Sequence, residues 1–494
     1  MDSAMETGTV ISLGLYFVLM LLIGIYAQRR VAGNSEGYLL AGRGLSPGVT
    51  ALSAGASDMS GWLLLGLPGA LYVSGLVEAW IGIGLFVGAL ANWIIVAPRL
   101  REQTERYGNA LTIPHFLANR FPEQAAALRV VSAVVIVVFF TVYTAAGLVA
   151  GGKLFATSFA GLFSGTGVSP YAAGLWLTAA VVVTYTVIGG FLAVSLTDAV
   201  QGLIMLAALV LMPLAIVFGD GGDAAGALRE VQPGFFSLTQ GLTALGFLSA
   251  VSWGLGYFGQ PHIIVRFMAI RSLAEMPSAR RIAMGWMALC LLGAIGIGLA
   301  GRVYVERNGL TLDDPETIFL LLADRLFDPL VTGLLLAALL AAVMSTISSQ
   351  LLVSSSSLTE DFFRLFLRRE ASEKETVIVN RVSVLLVALA ALVIAADPES
   401  GVLSLVANAW AGFGAAFGPM ILLALTWRGT TGTGALAGLV TGAVVVAGWI
   451  ALGWNARILG GEGIYEIVPG FLAAFAAVVL VSLATRPTAS SAPA

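Results

Sequence analysis

Charged residues are scarce in this chain of 494 residues. Only 11% of the residues are charged, whereas a typical soluble domain has about 25%. Hydrophobic residues account for 58% of the chain. This composition excludes a soluble globular protein and indicates a helical protein that crosses a membrane many times, surrounded by lipid.

Cysteine and histidine are almost absent. Cys290 is the single cysteine and lies in an apolar run, which excludes a disulfide framework and a thiolate metal site. The two histidines, His115 and His262, are too few for a zinc site. Asp2 and Glu6 precede the first apolar run, where a signal peptide needs basic residues. We expect no signal peptide, no catalytic residues, no enzymatic activity and no nucleic-acid partner.

Thirteen apolar segments are each close to the roughly 20 residues that a helix needs to cross a bilayer. Their approximate extents are 8–28, 48–72, 75–97, 128–152, 171–191, 196–219, 240–263, 284–304, 329–356, 377–396, 402–427, 432–454 and 467–485. The sequence therefore predicts an all-α polytopic membrane protein with about thirteen spans. We expect one transmembrane domain over 1–494.

Lysine and arginine are unevenly distributed between the two sides of the membrane. The loops after spans one, three, seven, nine and eleven, together with the C-terminus, carry 19 of the 25. We call this side the arginine-rich side. The positive-inside rule makes it cytoplasmic, with the N-terminus outside and the C-terminus inside. An odd number of spans also requires the termini to lie on opposite sides.

A polar stretch at 53–62 interrupts the second span with a carboxylate, three serines and two glycines. Hydrocarbon offers no water to polar groups, so such a stretch is tolerated only where it faces protein or an aqueous cavity. Gly55 and Gly61 allow the backbone to leave helical geometry. We predict a broken helix whose unpaired main-chain groups bind ligands, as in secondary transporters.

A second interruption lies in the seventh span, where 253–262 contain three glycines and a proline. Spans two to six and spans seven to eleven thus form two groups of five, each opening with a broken helix. Because five is odd, the groups cross the membrane in opposite senses. This pattern predicts an inverted repeat with halves at 48–219 and 240–427, and peripheral helices at 8–28 and 432–485.

Four segments, 53–62, 253–262, 341–346 and 410–419, together resemble the solute:sodium symporter family. The resemblance covers nearly the whole chain. It implies the inverted-repeat fold of the leucine transporter and sodium-coupled uptake of L-proline by alternating access. Two alternatives stay open: a family member that carries pantothenate, choline or a sugar, and a membrane sensor that binds a solute without transporting it.

The resemblance implies a sodium site formed by five residues. These are Ala56, Met59 and Ala342 through their carbonyls and Ser345 and Thr346 through their hydroxyls. Sodium is a hard cation that prefers oxygen ligands, as calcium does. A broken helix supplies unpaired carbonyls, so the expected chemistry agrees. The alternative role of the two hydroxyls is hydrogen bonding between helices.

The resemblance also implies a substrate pocket. Its residues are Asp58, Ser60, Gly61, Tyr143, Trp253, Tyr257, Gln260 and Pro261. Main-chain N–H groups near Gly61, at the start of a half-helix, suit a carboxylate. The aromatic rings suit the apolar ring of proline and its ammonium group. For Asp58 three roles stay open: sensing sodium, facing the ammonium, or a purely structural one.

Two charged residues near the ends of the second span are candidates for coupling or gating by the same resemblance. They are Arg43 and Glu78, and either is also an ordinary interfacial charge. Asp198 lies at the predicted start of the sixth span, where we expect it to cap the helix.

Overall fold

The computed structural model describes residues 3–30, 35–219, 232–368, 370–457 and 463–486. Most of these residues are helical. The long helices are Ser3–Gln28, Ala79–Arg106, Ala125–Ser158, Pro170–Gly219, Met276–Arg307, Pro329–Ser356, Glu373–Ile394, Val402–Thr426, Gly432–Ala451 and Ile467–Thr485. Shorter helices in the connections are Ser35–Leu40, Ile113–Arg120, Ile318–Leu326 and Trp454–Arg457.

The helix Pro170–Gly219 bends sharply at Gly190 and supplies two spans. Gly190 has φ 58° and ψ −156°, a conformation open to glycine but strained for other residues. A Cβ atom there would lie 2.7 Å from the ring of Tyr38. Glycine is therefore required both by the backbone and by the neighbouring ring.

Thirteen spans result when the two broken helices are included. Eleven helices in the described part of the chain are long and apolar enough to cross a membrane. The second and seventh spans are assembled from shorter pieces. The predicted all-α class and the predicted number of spans are confirmed.

The second span is broken where the polar stretch predicts. Its first half, Pro47–Asp58, is capped by the Ser46 hydroxyl, which accepts a hydrogen bond from a main-chain N–H. The helix ends at Met59, whose φ of −79° and ψ of 76° are not helical. It resumes with a π-helical turn at Trp62 and continues as Leu67–Ser74. Ser60 thus lies between two half-helices.

The seventh span is broken in a corresponding way. An α-helix, Ala244–Ser252, is followed by the 3₁₀ segment Trp253–Gly259 and by a second helix, Pro261–Ala269. Gln260 has extended geometry, with φ −83° and ψ 103°. Pro261 opens the second half-helix, where the missing N–H of proline costs no intrahelical hydrogen bond.

The two broken spans contact each other at the arginine-rich side, where the second begins and the seventh ends. The N–H of Leu45 donates to the carbonyl of Ala269, and the N–H of Arg271 donates to the carbonyl of Leu45, both at 3.1 Å. These bonds form a short parallel bridge between Leu45 and Ile270. The broken spans are therefore joined through their main chains.

Candidate functional site

The ninth span brings its hydroxyl groups to the break in the second span. The hydroxyl oxygen of Ser345 lies 2.7 Å from the carbonyl oxygen of Ala56 and 3.1 Å from that of Ala342. The hydroxyl of Thr346 lies 3.2 Å from the Ala342 carbonyl. Met59 is in the break itself and fully buried. The structure thus brings four of the five predicted sodium ligands together. The fifth, Met59, lies in the same broken span as Ala56, close to it in the chain.

These oxygens fit the chemistry of a sodium ion. They belong to carbonyls and hydroxyls, are neutral and hard, and come from two different spans. Ser345 and Thr346 are at most 2% exposed. Their hydroxyl hydrogens now point at carbonyls, and rotating them away would release the oxygens for a cation. The Ser345 hydroxyl can therefore form the interhelical hydrogen bond when no ion is bound and act as a ligand when one is.

Asp58 is a buried carboxylate at the end of the first half-helix. Its Oδ2 accepts a hydrogen bond from the phenol of Tyr257. Its main-chain carbonyl accepts from the indole N–H of Trp62 at 3.2 Å and from the phenol of Tyr143 at 3.4 Å. Oδ1 has no hydrogen-bond partner within the described chain. A buried carboxylate without a cationic partner is costly, so this position favours a bound cation.

The aromatic side of the pocket depends on Trp410 in the eleventh span. Its indole N–H donates to the carbonyl of Trp253 at 2.7 Å, and its own carbonyl accepts from the Gln260 amide at 3.1 Å. Its ring meets that of Tyr257 edge-on, with centroids 5.1 Å apart. Gly256 makes the approach possible, because a Cβ there would lie 1.9 Å from the indole nitrogen.

Trp410 was not among the predicted pocket residues, although 410–419 is one of the four segments that carry the family resemblance. That segment was the signal in the sequence that could have identified it. A further contact comes from Tyr465, which precedes the last span and stacks on the ring of Trp253 at 5.1 Å.

The predicted pocket residues lie close together and are closed off from solvent. Asp58, Ser60, Tyr143, Trp253, Tyr257 and Gln260 are each at most 7% exposed. Gly61 packs tightly, since a Cβ there would lie 2.8 Å from the side chain of Ala150. Pro261 faces a separate small cavity toward the helix Ile113–Arg120. The structure therefore brings most of the pocket together and places Pro261 at its margin.

Arg43 lies outside the pocket, at the arginine-rich side. Its guanidinium donates to Asn109 Oδ1 at 2.9 Å, to Thr104 Oγ1 at 3.2 Å, and to the carbonyls of Met268 and Ala110 at 2.8 and 2.9 Å. These bonds link the segment before the second span to the third and seventh spans. Burial lowers the pKa of this guanidinium, and the positive charge of Arg101 adds to the effect.

Glu78 lies at the opposite side of the membrane, in the turn that opens the third span. It is half-buried. The structure does not bring Arg43 and Glu78 into contact with the pocket or with each other. Any part they take in coupling has to act through the elements they join.

The prediction that Asp198 caps the sixth span is wrong. Asp198 lies inside the helix Pro170–Gly219 and is fully buried. Its Oδ2 is 3.0 Å from Nη2 of Arg266 and 2.7 Å from the hydroxyl of Ser53. Arg266, which the sequence places among the 19 basic residues of the arginine-rich side, is only 1% exposed. The two charges neutralise each other in the interior, which burial of either one alone would not allow.

A second ion-pair cluster lies on the side of the membrane opposite to Arg43. The ammonium of Lys153 is 2.7 Å from a carboxylate oxygen of Asp314 and 2.8 Å from one of Glu316. The Glu316 carboxylate also accepts from the N–H groups of Val402 and Leu403, at 3.0 and 2.9 Å. These N–H groups open the eleventh span, where an anion is favoured. The cluster therefore ties three elements together.

Comparison with known proteins gives close relatives along nearly the whole chain. The high-affinity proline transporter PutP of Bacillus subtilis (strain 168) is 53% identical over 469 residues, which are 94% of this chain and 96% of the relative. The osmoregulated proline transporter OpuE of the same strain is 48% identical over 490 residues, 99% and 97% of the two chains. A sodium/proline symporter of Staphylococcus aureus (strain NCTC 8325 / PS 47) is 49% identical over 485 residues, 97% and 93% of the two chains.

Solved structures show the same fold at lower identity. A substrate-bound, outward-open Na⁺-coupled sialic acid symporter superposes with a TM-score of 0.79 at 19% identity, over 97% of this chain and 98% of the other. The nucleobase-cation-symport transporter Mhp1 gives a TM-score of 0.53 at 17% identity, over 91% and 95% of the two chains. The sequence model of the Sodium:solute symporter family matches residues 38–442. This chain belongs to the Sodium:solute symporter family.

Proposed function

We propose that this protein takes up L-proline together with sodium ions by alternating access. The observation that carries the proposal is the 2.7 Å approach of the Ser345 hydroxyl to the Ala56 carbonyl across a helix break. It supplies a cation site of neutral oxygens beside a closed aromatic pocket. The names of three relatives, which are called proline transporters or sodium/proline symporters, support the same substrate and ion.

We assign the sodium to Ala56, Met59, Ala342, Ser345 and Thr346. Proline occupies the neighbouring pocket, where its carboxylate faces the main chain near Gly61 at the start of the second half-helix. The rings of Tyr143, Trp253 and Tyr257 enclose the pyrrolidine ring, with Ser60, Gln260 and Pro261 completing the pocket. Asp58 provides a negative charge next to the sodium ion and the ammonium group of proline.

Sodium can supply enough free energy for uptake. For one sodium ion and a zwitterion, a tenfold concentration gradient gives about 1.4 kcal/mol, and 100 mV of membrane potential gives about 2.3 kcal/mol. Together these sustain an accumulation of roughly 500-fold. The protein would operate by tilting one bundle of helices against the other, so that the pocket opens to one side at a time.

We further infer the placement of the protein in the cell. As a multi-pass protein of a bacterial inner membrane, it has its N-terminus outside and its arginine-rich side in the cytoplasm. The halves at 48–219 and 240–427 act as the two repeats, with 8–28 and 432–485 at the periphery. Its activity is transport and involves no catalytic step, in keeping with the transport names of its relatives.

The proposal is tested by uptake of labelled L-proline into proteoliposomes containing the purified protein. We expect accumulation with an inward sodium gradient, and none when potassium replaces sodium. Pantothenate, choline and a sugar, each in excess, should not compete. Uptake of proline that is independent of sodium, or uptake of another solute in its place, would overturn the assignment.

A further inference from the structure

A wide cleft with basic walls lies on the arginine-rich side, away from the pocket. It has a volume of about 780 Å³ and is open to solvent. Its walls include Arg120, Trp427, Arg428, Thr431 and Arg486. We call it the basic cleft. It lies where the eleventh span ends, the twelfth begins and the last span ends.

Within the described residues, the positive charge of the basic cleft is only partly neutralised. The one carboxylate in its wall is that of Glu123, which accepts from the N–H of Gly432 at 2.8 Å. In the part of the chain that the structure describes, no ion pair joins Arg120, Arg428 or Arg486 to a carboxylate. Three guanidinium groups and one carboxylate leave a net charge of +2.

Two of the guanidinium groups are held in place by neutral contacts. Arg486 donates to the carbonyl of Gly429 at 3.1 Å and lies 4.7 Å above the ring of Trp427. Arg120 lies over the ring of Tyr107, and its two Nη atoms donate to the Tyr107 hydroxyl and, at 3.4 Å, to the Ala424 carbonyl. Each keeps N–H groups free for an anion, because a guanidinium has five of them. Fixed guanidinium groups are suited to bidentate binding of phosphate.

The basic cleft also adjoins surface that suits lipid tails. Leu480 and Leu483, in the last span just before Arg486, are 65% and 54% exposed. Trp427 follows the end of the eleventh span, at the level where tryptophans meet lipid headgroups. A molecule with a negative headgroup and apolar chains could therefore contact both surfaces at once.

We propose that the basic cleft binds the phosphate of an anionic phospholipid, with its acyl chains along the last span. Basic pockets between membrane helices on the cytoplasmic side are a known form of lipid recognition. A zwitterionic lipid carries its own positive group, which the arginines repel. Free inorganic phosphate shares the anionic chemistry but gains nothing from the apolar surface.

The test measures lipid retained by the purified full-length protein in native mass spectrometry. Protein is exposed to mixed micelles of phosphatidylglycerol and phosphatidylcholine, and the bound lipids are counted. We expect phosphatidylglycerol to be retained in preference. Arg428→Gln and Arg486→Gln should each lower its binding about fivefold, as expected for loss of one interfacial arginine.

Arg271→Gln serves as a matched control. Arg271 is an exposed arginine on the same side, and it is bonded to Glu275 at 2.8 Å. This change should leave lipid retention unaltered. If Arg486→Gln does not yield folded protein, Arg428→Gln alone decides, since Arg428 is exposed.

Three results would overturn the proposal. The first is equal retention of phosphatidylcholine and phosphatidylglycerol. The second is an equal loss of lipid in Arg271→Gln and Arg428→Gln, which would indicate a general effect of charge. The third is retention of phosphatidylglycerol that inorganic phosphate abolishes at millimolar concentration, because the cleft would then be a site for free anions.

Discussion

Ser345 is the residue whose position most directly supports the proposed sodium site. It belongs to an uninterrupted helix, yet its hydroxyl meets a carbonyl close to the end of another helix, at 2.7 Å. The same hydroxyl also contacts the Ala342 carbonyl one turn earlier in its own span. A side chain that bridges two elements in this way can bind a cation only while both are in place.

Ser345→Ala should weaken the response to sodium without abolishing transport. Losing one oxygen that contacts a cation costs about 1.5–3 kcal/mol. The sodium concentration for half-maximal proline uptake should therefore rise tenfold or more. Thr346→Ala should act in the same direction. The measurement is initial uptake in proteoliposomes over a range of external sodium.

Ser356→Ala is the control for this change. Ser356 is a buried serine of the same helix, and its hydroxyl bonds to the Leu352 carbonyl one turn earlier. Its removal deletes a similar intrahelical bond far from the helix break. Equal sodium dependence in Ser345→Ala, Thr346→Ala and the wild type would contradict the assigned ion site.

Tyr257→Phe tests the surroundings of Asp58. The phenol is the only described side-chain donor to the Asp58 carboxylate, whose other oxygen already lacks a partner. Leaving a buried carboxylate without this donor costs about 1–3 kcal/mol. We expect the KM for proline to rise at least fivefold in uptake assays. An unchanged KM would show that Tyr257 and Asp58 do not act together.

At the scale of elements, the third and seventh spans approach each other through glycine. A Cβ atom on Gly88 would lie 2.1 Å from the carbonyl oxygen of Gly254. On Gly84 it would lie 2.5 Å from the carbonyl oxygen of Val251. Main-chain contact of this kind requires small residues, and it fixes the broken seventh span against an unbroken neighbour.

Gly88→Ala should destabilise the protein by about 1–3 kcal/mol, since the added methyl group forces backbone apart. The matched control is Gly285→Ala in the eighth span, where a Cβ meets nothing within 4 Å. There alanine should be neutral or mildly stabilising, because it favours helix over glycine. Thermal unfolding of the purified proteins in detergent compares the two. A Tm for Gly88→Ala at or above that of the control would contradict the close contact.

The sequence predicts the spans and the helix breaks well, because hydrophobic residues and glycine determine the structure of their own segment of the chain. The number of spans and both helix breaks follow from residues adjacent in the chain. The Asp198–Arg266 pair was not predicted, since it joins residues 68 positions apart. Trp410 was missed for the same reason, as its contacts with the seventh span are tertiary. The ends of the helices also differ from the prediction. The third span, predicted to end near residue 97, continues to Arg106, because polar residues extend a helix into water.

At the scale of the whole molecule, the pocket is closed from both sides. The Lys153–Glu316 ion pair lies on one side of it, and the hydrogen bonds of Arg43 lie on the other. A transporter has to release one closure at a time. We expect the relative strength of these two sets of contacts to determine which face is more often open.

Lys153→Gln should favour the state that is open on the side of Glu316. Loss of this partly buried ion pair costs about 1 kcal/mol, which corresponds to about a fivefold shift in population. A cysteine placed at Leu403, in a protein whose Cys290 is changed to alanine, should react faster with a membrane-impermeant thiol reagent. The rate of labelling measures the shift.

Arg302→Gln provides the comparison for this experiment. Arg302 pairs with Glu306 at 2.6 Å within one helix and lies 5.0 Å from the ring of Tyr72, so its loss breaks no ion pair between elements. Labelling at position 403 should stay at the wild-type rate. If Lys153→Gln also leaves that rate unchanged, the ion pair does not hold the closed state.

The main-chain bridge between Leu45 and Ile270 has a consequence for how tightly sodium and proline transport are coupled. It ties the segment that leads to the proposed ion site to the segment that follows the proposed pocket, through bonds that no side-chain substitution other than proline removes. We expect the two segments to move together as one rigid unit. Slippage, in which sodium crosses without proline, would require these segments to separate. The sodium leak current of the protein should therefore be small.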